Sequence, residues 1–397
     1  MKSPILEACA YGQLETIEHL LKEGADPCVK SYCGRTALHE VCMGGHISCL
    51  ERLLELQCDV DAQDSEGLTA AHIAAFNGEE ECLRILATKG ANLILGDKHG
   101  RLTIHLAAMR SHFQILHLLC NGYGISFYVR CNLGKTPLHY ATQYGSLRCL
   151  KYLVQHGCEV NYLDNLGFWA AYYAARYNRL ECLRYLMEQG TSVTCSQKDN
   201  KTLLHVAGFY GSVNVLHWLL ERGFNPNTQD DLGNTVGHQA ALKGKPECYS
   251  CFLNHGGNPK LINLTNDNPM GTAKRAGHVL LLQKAANKEI LCPLCENALK
   301  KKEWITAHPN ISKENKFLSY RNNQKMSLSS PLSKGQTYLE LYTKCNLREK
   351  PMLLKCATNP NAELETNSLS KSMSCISFKS TASKNFVHPN NLFTFSI

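Results

Sequence analysis

The sequence lacks an apolar stretch long enough to cross a membrane. The run Val279-Leu280-Leu281-Leu282 is far shorter than the about 20 residues that a transmembrane helix needs. No apolar region of signal-peptide type follows Met1-Lys2-Ser3-Pro4, because an amphipathic pattern begins there directly. We therefore expect no membrane partner and a location in the cytoplasm, with the nucleus as the alternative.

Signatures of catalysis are also missing. The chain contains no Gly-rich phosphate loop, no Gly-x-Ser-x-Gly elbow, no His-Glu-x-x-His helix and no paired-carboxylate pattern. Histidine and cysteine are frequent, but a repeat described below accounts for six of the 17 histidines and five of the 20 cysteines. We therefore predict that the protein is not an enzyme and needs no cofactor.

Acidic residues are scarce near the carboxyl end. The whole chain has 42 Lys and Arg against 34 Asp and Glu, a net charge of +8. Residues 291–397 alone hold 15 Lys and Arg against 7 Asp and Glu, which accounts for the entire excess. The rest is nearly neutral, so we do not expect a nucleic-acid partner. A nucleic-acid-associated regulator acting through the basic tail is the less favoured alternative.

Cysteine, in contrast, is plentiful, with 20 residues. Several recur at one position of a repeated helix, a position that Ile and Val fill elsewhere. These residues are Cys49, Cys82, Cys149, Cys182 and Cys248, with Ile115 and Val215. A position that accepts Cys, Ile or Val is a packed interior site. We interpret these cysteines as small buried apolar side chains with free thiols, in a reducing compartment.

A histidine recurs every 33 or 34 residues. The positions are His39, His72, His105, His139, His205 and His238, with Tyr172 in the same register. The surrounding pattern is most complete in Gly134-Lys135-Thr136-Pro137-Leu138-His139-Tyr140-Ala141. Gly suits a turn of positive φ, Thr an N-cap and Pro a first helical turn, while the His ring can bridge backbone groups. We assign these histidines a structural role in the repeat.

This pattern resembles the ankyrin repeat over residues 3 to about 287. The resemblance implies an all-α solenoid of about eight to nine helix-turn-helix units with short β-hairpin tips. The units are expected near 3–34, 35–67, 68–100, 101–134, 135–167, 168–200, 201–233, 234–266 and 267–287. Two units depart from the pattern: the sixth has Trp169 and Tyr172 in place of Thr and His, and the fourth has one extra residue between Ile115 and Gly124.

The resemblance also implies a binding surface. Ankyrin arrays bind partners in a concave groove lined by the tips and by the ends of the first helices. At those helix ends stand Phe76, Arg110, Tyr144, Arg176, Tyr177, Phe209 and Tyr210. Aromatic residues and Arg are enriched in interface hot spots. We expect a monomeric intracellular adaptor or scaffold that binds a protein there; packing of Phe76 and Phe209 between units is the alternative.

Residues 288–397 are rich in Ser, Asn and Lys, and we expect them to be mostly disordered. Thr337 to Cys356 is the only stretch that resembles a SOCS box, which keeps a substrate-recruiting subunit of a ubiquitin ligase as an alternative function. The last residues, Phe395-Ser396-Ile397, resemble a terminus that PDZ domains bind. The tail is thus a candidate site for a second protein partner.

One further pattern in the tail has the spacing of zinc ligands. Cys292-Pro293-Leu294-Cys295 is followed by His308, as in a small zinc finger, but no second His follows at the required distance. A second Cys-x-x-Cys pair, Cys248 and Cys251, lies in a repeat helix, and we interpret such pairs as coincidences in a Cys-rich chain. We therefore predict no bound metal and keep Cys292, Cys295 and His308 only as candidate ligands.

Overall fold

A computed structural model describes residues 3–192, 200–298 and 300 of the chain. Within these ranges the chain forms nine helix-turn-helix pairs. The first helices of the pairs are α1 Pro4–Ala10, α3 Ala37–Gly44, α5 Ala70–Asn77, α7 Thr103–Arg110, α9 Pro137–Tyr144, α11 Ala170–Arg176, α13 Leu203–Tyr210, α15 Val236–Leu242 and α17 Pro269–Ala276. The second helices are α2 Leu14–Lys22, α4 Ile47–Glu55, α6 Glu80–Thr88, α8 Phe113–His117, α10 Leu147–Gln155, α12 Leu180–Glu188, α14 Val213–Glu221, α16 Pro246–Asn254 and α18 Val279–Ala286.

The two sets of helices form two layers. Each first helix packs against the first helices before and after it, and most second helices pack in the same way in their own layer. First helices within the stack are buried almost all round, as in α5, where Ala70, Ala71, Ala74 and Ala75 are buried. Most second helices bury one face and expose the other, as α10 does. Helices α14 and α16 are exceptions, since residues 215–220 and 248–252 are buried without interruption. The expected all-α ankyrin solenoid is confirmed.

The tips between repeats are tight turns. In one tip, Asp97 Oδ1 accepts hydrogen bonds from the backbone N–H groups of His99 and Arg101, at 2.9 and 2.8 Å. Asp64, Asp164, Asp230 and Asn263 make the same pair of bonds in other tips. In the described ranges the tips contain no extended strand, only single bridge residues at 168 and 202. The hairpins are therefore held by a side chain and by turn hydrogen bonds.

The histidine of the repeat links neighbouring units. In His139, Nδ1 accepts a hydrogen bond from the backbone N–H of Thr136, at 3.2 Å, and Nε2 donates to the carbonyl oxygen of Phe168, at 3.3 Å. The acceptor carbonyl lies in the tip of the next repeat, 29 residues along the chain. His39, His72, His105, His205 and His238 make the equivalent pair of bonds. Each ring thus fixes both its own helix start and the next unit.

The fourth pair accommodates its additional residue inside a helix. Helix α8 ends at His117, and residues Leu118–Gly122 continue it as a π-helical turn. A π turn holds one more residue per turn than an α turn. The sequence placed the extra residue between Ile115 and Gly124, and the widened turn lies within that interval.

The chain stays packed on the stack beyond α18. Residues 293–298 are helical, and Cys292 and Cys295 are buried in the hydrophobic core. The placement of the domain boundary at 287 stays a prediction. His308, the stretch Thr337 to Cys356 and Phe395-Ser396-Ile397 lie outside the described residues. Among the helices that are described, none has the length and apolar character needed to cross a membrane.

Candidate functional site

The residues predicted to contact a partner lie at the carboxyl ends of consecutive first helices. We call Phe76, Arg110, Tyr144, Arg176, Tyr177, Phe209 and Tyr210 the contact row. Tyr144 and Tyr177 are 43% and 39% exposed, large values for aromatic side chains. Arg110 is exposed, while the other four members are half-buried. The row therefore presents ring edges and charged groups to solvent.

Cationic groups lie over the aromatic rings of the row. The guanidinium of Arg110 is 4.7 Å from the ring centroid of Phe76, one repeat earlier. Arg176 lies 5.2 Å from the ring of Tyr177 and 4.7 Å from that of Tyr210. Such cation–π contacts stabilise both partners by up to about 1 kcal/mol at exposed sites. They link side chains of neighbouring repeats into one surface.

For Phe76 and Phe209 the sequence left two alternatives, contact with a partner in the groove and packing between units, and each ring has features of both. Both rings are half-buried and carry a cation on the exposed face, since Lys243 Nζ lies 4.7 Å from the ring centroid of Phe209. Phe209 also packs edge-to-face against Tyr210, at 5.0 Å between centroids. Each of these rings therefore belongs to the row and is at the same time partly covered by neighbouring side chains.

Four buried side chains from three separate parts of the chain meet on the second-helix layer. His217 stands on α14, Cys251 on α16, and Cys292 and Cys295 in the segment that follows α18. One nitrogen and three sulfur atoms all lie within 4.8 Å of one another. We call these four residues the Cys3His cluster. Among residues 3–192, 200–298 and 300, it is the only group of this kind with metal-ligand atoms.

The cluster is shielded from water and its atoms are close. His217 is 8% exposed, Cys295 5%, and Cys251 and Cys292 are fully buried. Cys295 Sγ lies 3.4 Å from His217 Nδ1 and 3.8 Å from Cys251 Sγ, and Cys251 Sγ lies 3.8 Å from the same nitrogen. Hydrogen bonds among the thiols lower the pKa of Cys292 and raise the pKa of Cys251.

This arrangement supplies the fourth ligand that the sequence pattern lacks. From the sequence, Cys251 is one half of a coincidental Cys pair, and the prediction of no metal depends on the missing fourth ligand. The structure brings Cys251 and His217 to Cys292 and Cys295, whereas His308 lies outside the described residues. The overlooked signal was the repeat itself: His217 and Cys251 are 34 residues apart, and residues one repeat apart become neighbours in the stack.

Comparison with known protein families agrees with the architecture. A family profile described as "Ankyrin repeats (3 copies)" matches residues 5–97, 91–164, 163–230 and 204–292. A search of curated proteins found no significant match. The matched segments together cover almost the whole stack of helix pairs. The chain therefore belongs to the ankyrin-repeat family, whose repeats form a protein–protein interaction module.

Proposed function

We propose that the protein is a non-catalytic adaptor that binds a protein partner in the groove lined by the contact row. The observation that carries this proposal is the position of Arg176 between Tyr177 and Tyr210, with 5.2 and 4.7 Å to the two ring centroids. The Tyr210 hydroxyl is held in turn by the Tyr172 hydroxyl, at 3.3 Å. Side chains that are ordered before binding lose little conformational freedom when a partner arrives.

The chemistry of the row favours a partner with both apolar and acidic side chains. Tyr144 and Tyr177 offer exposed ring surface, and Arg110, Arg176 and Lys243 contribute positive charge at neighbouring helix ends. Rings of this kind bury much area with few rotatable bonds, and guanidinium groups bind carboxylates in a bidentate way. We further propose that the protein acts as a monomer and that it lies in the cytoplasm or nucleus, reducing compartments that are consistent with its sixteen described free cysteines.

The test is affinity capture from cell lysate with quantitative mass spectrometry, using the full-length chain as bait. One variant carries Tyr144→Ala, Tyr177→Ala and Tyr210→Ala on the contact row. A matched control carries Tyr123→Ala, Tyr185→Ala and Leu280→Ala on the second-helix side. Circular dichroism establishes that both variants are folded. Partners that the row binds should fall at least about tenfold with the first variant, since hot-spot truncations cost about 2 kcal/mol or more.

Two outcomes would contradict the proposal. If the row variant and the second-helix variant capture the same proteins as the parent chain, the row binds no partner. If capture is lost instead when the chain is truncated after residue 298, the specific contacts belong to the tail, and the stack serves only to carry it. Truncation at 298 rather than 287 leaves the Cys3His cluster intact, so the second comparison does not alter the fold.

A further inference from the structure

We propose that the Cys3His cluster binds one zinc ion, and that this ion fastens residues 291–298 to the carboxyl-terminal repeats. The ligands would be His217 Nδ1 and the sulfur atoms of Cys251, Cys292 and Cys295. This site goes beyond partner binding by the contact row, because it lies on the other layer of helices and serves the fold. Its loss would not by itself remove the row.

The distances are those of a tetrahedral zinc site. With Zn–S bonds of about 2.3 Å and Zn–N bonds of about 2.0 Å, tetrahedral geometry separates two sulfurs by about 3.8 Å and a sulfur and a nitrogen by about 3.5 Å. Cys251 Sγ and Cys295 Sγ are 3.8 Å apart. His217 Nδ1 is 3.4 Å from Cys295 Sγ and 3.8 Å from Cys251 Sγ. These three distances match a tetrahedral site, and Cys292 Sγ lies within 4.8 Å of the same three atoms.

Groups around the cluster orient its ligands. His217 Nε2 lies 3.1 Å from Glu221 Oε1, one helical turn further along α14. A carboxylate that accepts a hydrogen bond from Nε2–H keeps the proton on Nε2. The Nδ1 lone pair is then directed at the sulfurs, as in carboxylate–histidine–zinc arrangements.

A neighbouring histidine is not the fourth ligand. His255 Nδ1 lies 3.7 Å from Cys251 Sγ, but it also lies 2.9 Å from the carbonyl oxygen of Cys251. A ring nitrogen that donates to a carbonyl has no lone pair to offer a metal. The His255 ring packs edge-to-face against His217 instead, at 5.2 Å between centroids. His255 therefore supports the liganding ring without coordinating.

The ligand set selects zinc and a structural role. Thiolates bind soft and borderline ions and exclude Mg²⁺ and Ca²⁺, which prefer oxygen. Three thiolates and one neutral imidazole fill a tetrahedron and leave no position for a substrate water. On binding, the three thiols lose their protons to solvent and four coordinate bonds form, with no change of oxidation state.

Buried cysteine alone does not explain the cluster. Cys149 and Cys182 occupy the apolar position of the repeat and are also buried, and among the described residues they belong to no group of metal-ligand atoms. Cys248, on the same helix as Cys251, follows that periodic pattern, whereas Cys251 stands one helical turn further on, at a place where the preceding repeat has Trp218. Cys251 therefore does not occupy the periodic cysteine position of the repeat, and it lies in the cluster instead. Such a position needs an explanation other than core packing.

The experiment measures zinc in the purified full-length protein by mass spectrometry of the metal, with about one ion per chain expected. Cys251→Ser and His217→Ala should each lose the ion. Cys248→Ala, one turn earlier on α16 and equally buried, should keep it. His217→Cys should also keep it, because four thiolates form a tetrahedral zinc site as well. This rescue separates loss of a ligand from damage to the fold.

A second measurement does not depend on any variant. The parent protein is treated with a zinc chelator and reloaded with Co²⁺, which should give the visible bands of tetrahedral cobalt and thiolate charge transfer. Chelation should also make three more thiols reactive and expose residues 287–298 to protease. Substoichiometric zinc together with no cobalt spectrum would overturn the proposal. So would zinc that survives Cys251→Ser but is lost with Cys248→Ala.

Discussion

His39 donates through Nε2 to the carbonyl oxygen of Leu68, which lies 2.8 Å away in the next repeat. The same ring accepts at Nδ1 from the backbone N–H of Thr36, at 3.1 Å. One nitrogen must therefore carry a proton while the other must not, which is possible only for a neutral imidazole. The stack is built on six rings that are constrained in this way.

We predict that the stack loses stability as the pH falls below about 6.5, the ordinary pKa of histidine. Burial lowers the pKa of all six rings, to about 4 for His105 and His139. The unfolded chain then binds protons that the folded chain does not, so the free energy of unfolding decreases as the pH falls, by up to about 1.4 kcal/mol per pH unit for each of His105 and His139. Urea unfolding at several pH values between 7.5 and 5 measures this slope.

The control for this prediction is to follow the rings directly. In nuclear magnetic resonance spectra of the folded protein, the imidazole signals of His105 and His139 should not titrate between pH 7.5 and 5.5, and those of the other four rings should titrate below pH 6.5. Titration of those signals near pH 6.5 would show that the fold does not hold the rings in the neutral form. A free energy of unfolding that does not change between pH 7.5 and 5 would show the same.

The second prediction concerns Gln57. It follows α4 with φ of 57°, whereas Gly24 and Gly90 occupy the same place after α2 and α6 with φ of 89° and 87°. A side chain in this left-handed conformation costs about 1–2 kcal/mol. Gln57→Gly should therefore raise the free energy of unfolding by about 1 kcal/mol once the greater freedom of the unfolded glycine is subtracted. Urea unfolding of the variant provides the measurement.

The reciprocal change is the matched control. A Cβ at Gly90 would meet nothing within 4 Å, so Gly90→Gln introduces the backbone strain without a collision. This variant should be destabilised by a similar amount. Equal stability of both variants and the parent chain would mean that the helix ends relax their conformation.

Cys149 is the third prediction, and it concerns the apolar position of the second helices. Val215 fills the equivalent position two repeats later, so Cys149→Val should cost less than about 1.5 kcal/mol. Cys149→Ser should cost about 1–3 kcal/mol, because it buries a hydroxyl among apolar side chains. Thermal and urea unfolding compare the two variants. A serine variant as stable as the valine variant would show that the position is not a dry interior site.

Reactivity supplies an independent check on the same residue. Burial raises the pKa of the Cys149 thiol to about 11, so little thiolate is present at pH 8. Alkylation in the folded protein should reach the exposed Cys28 long before Cys149. Peptide mass spectrometry after a timed reaction gives the order, and modification of Cys149 at the rate of Cys28 would contradict the interpretation.

The fold was predictable because most repeats form the same turn and the same helix start with the same residue types. Gly134, Thr136 and His139 each have a function that is readable within a few positions of the chain. The Cys3His cluster was not predictable in that way, since His217, Cys251 and Cys295 are neighbours only after the repeats have stacked. The zinc-finger spacing places the remaining ligands downstream, at His308 and at a second His that the sequence lacks, whereas stacking brings His217 and Cys251 from upstream. The cation–aromatic pairs of the contact row are equally a product of stacking.

The π-helical turn at Leu118–Gly122 lets one repeat contain an additional residue without changing its spacing to the next repeat. His105 still reaches the next tip through Nε2, but its acceptor, the carbonyl oxygen of Lys135, is 30 residues away instead of 29. The additional residue is thus accommodated in the wider turn of one helix, and the following units are not displaced. Such an insertion adds one residue to a repeat without changing the spacing between repeats, so a binding surface that spans several units can tolerate it.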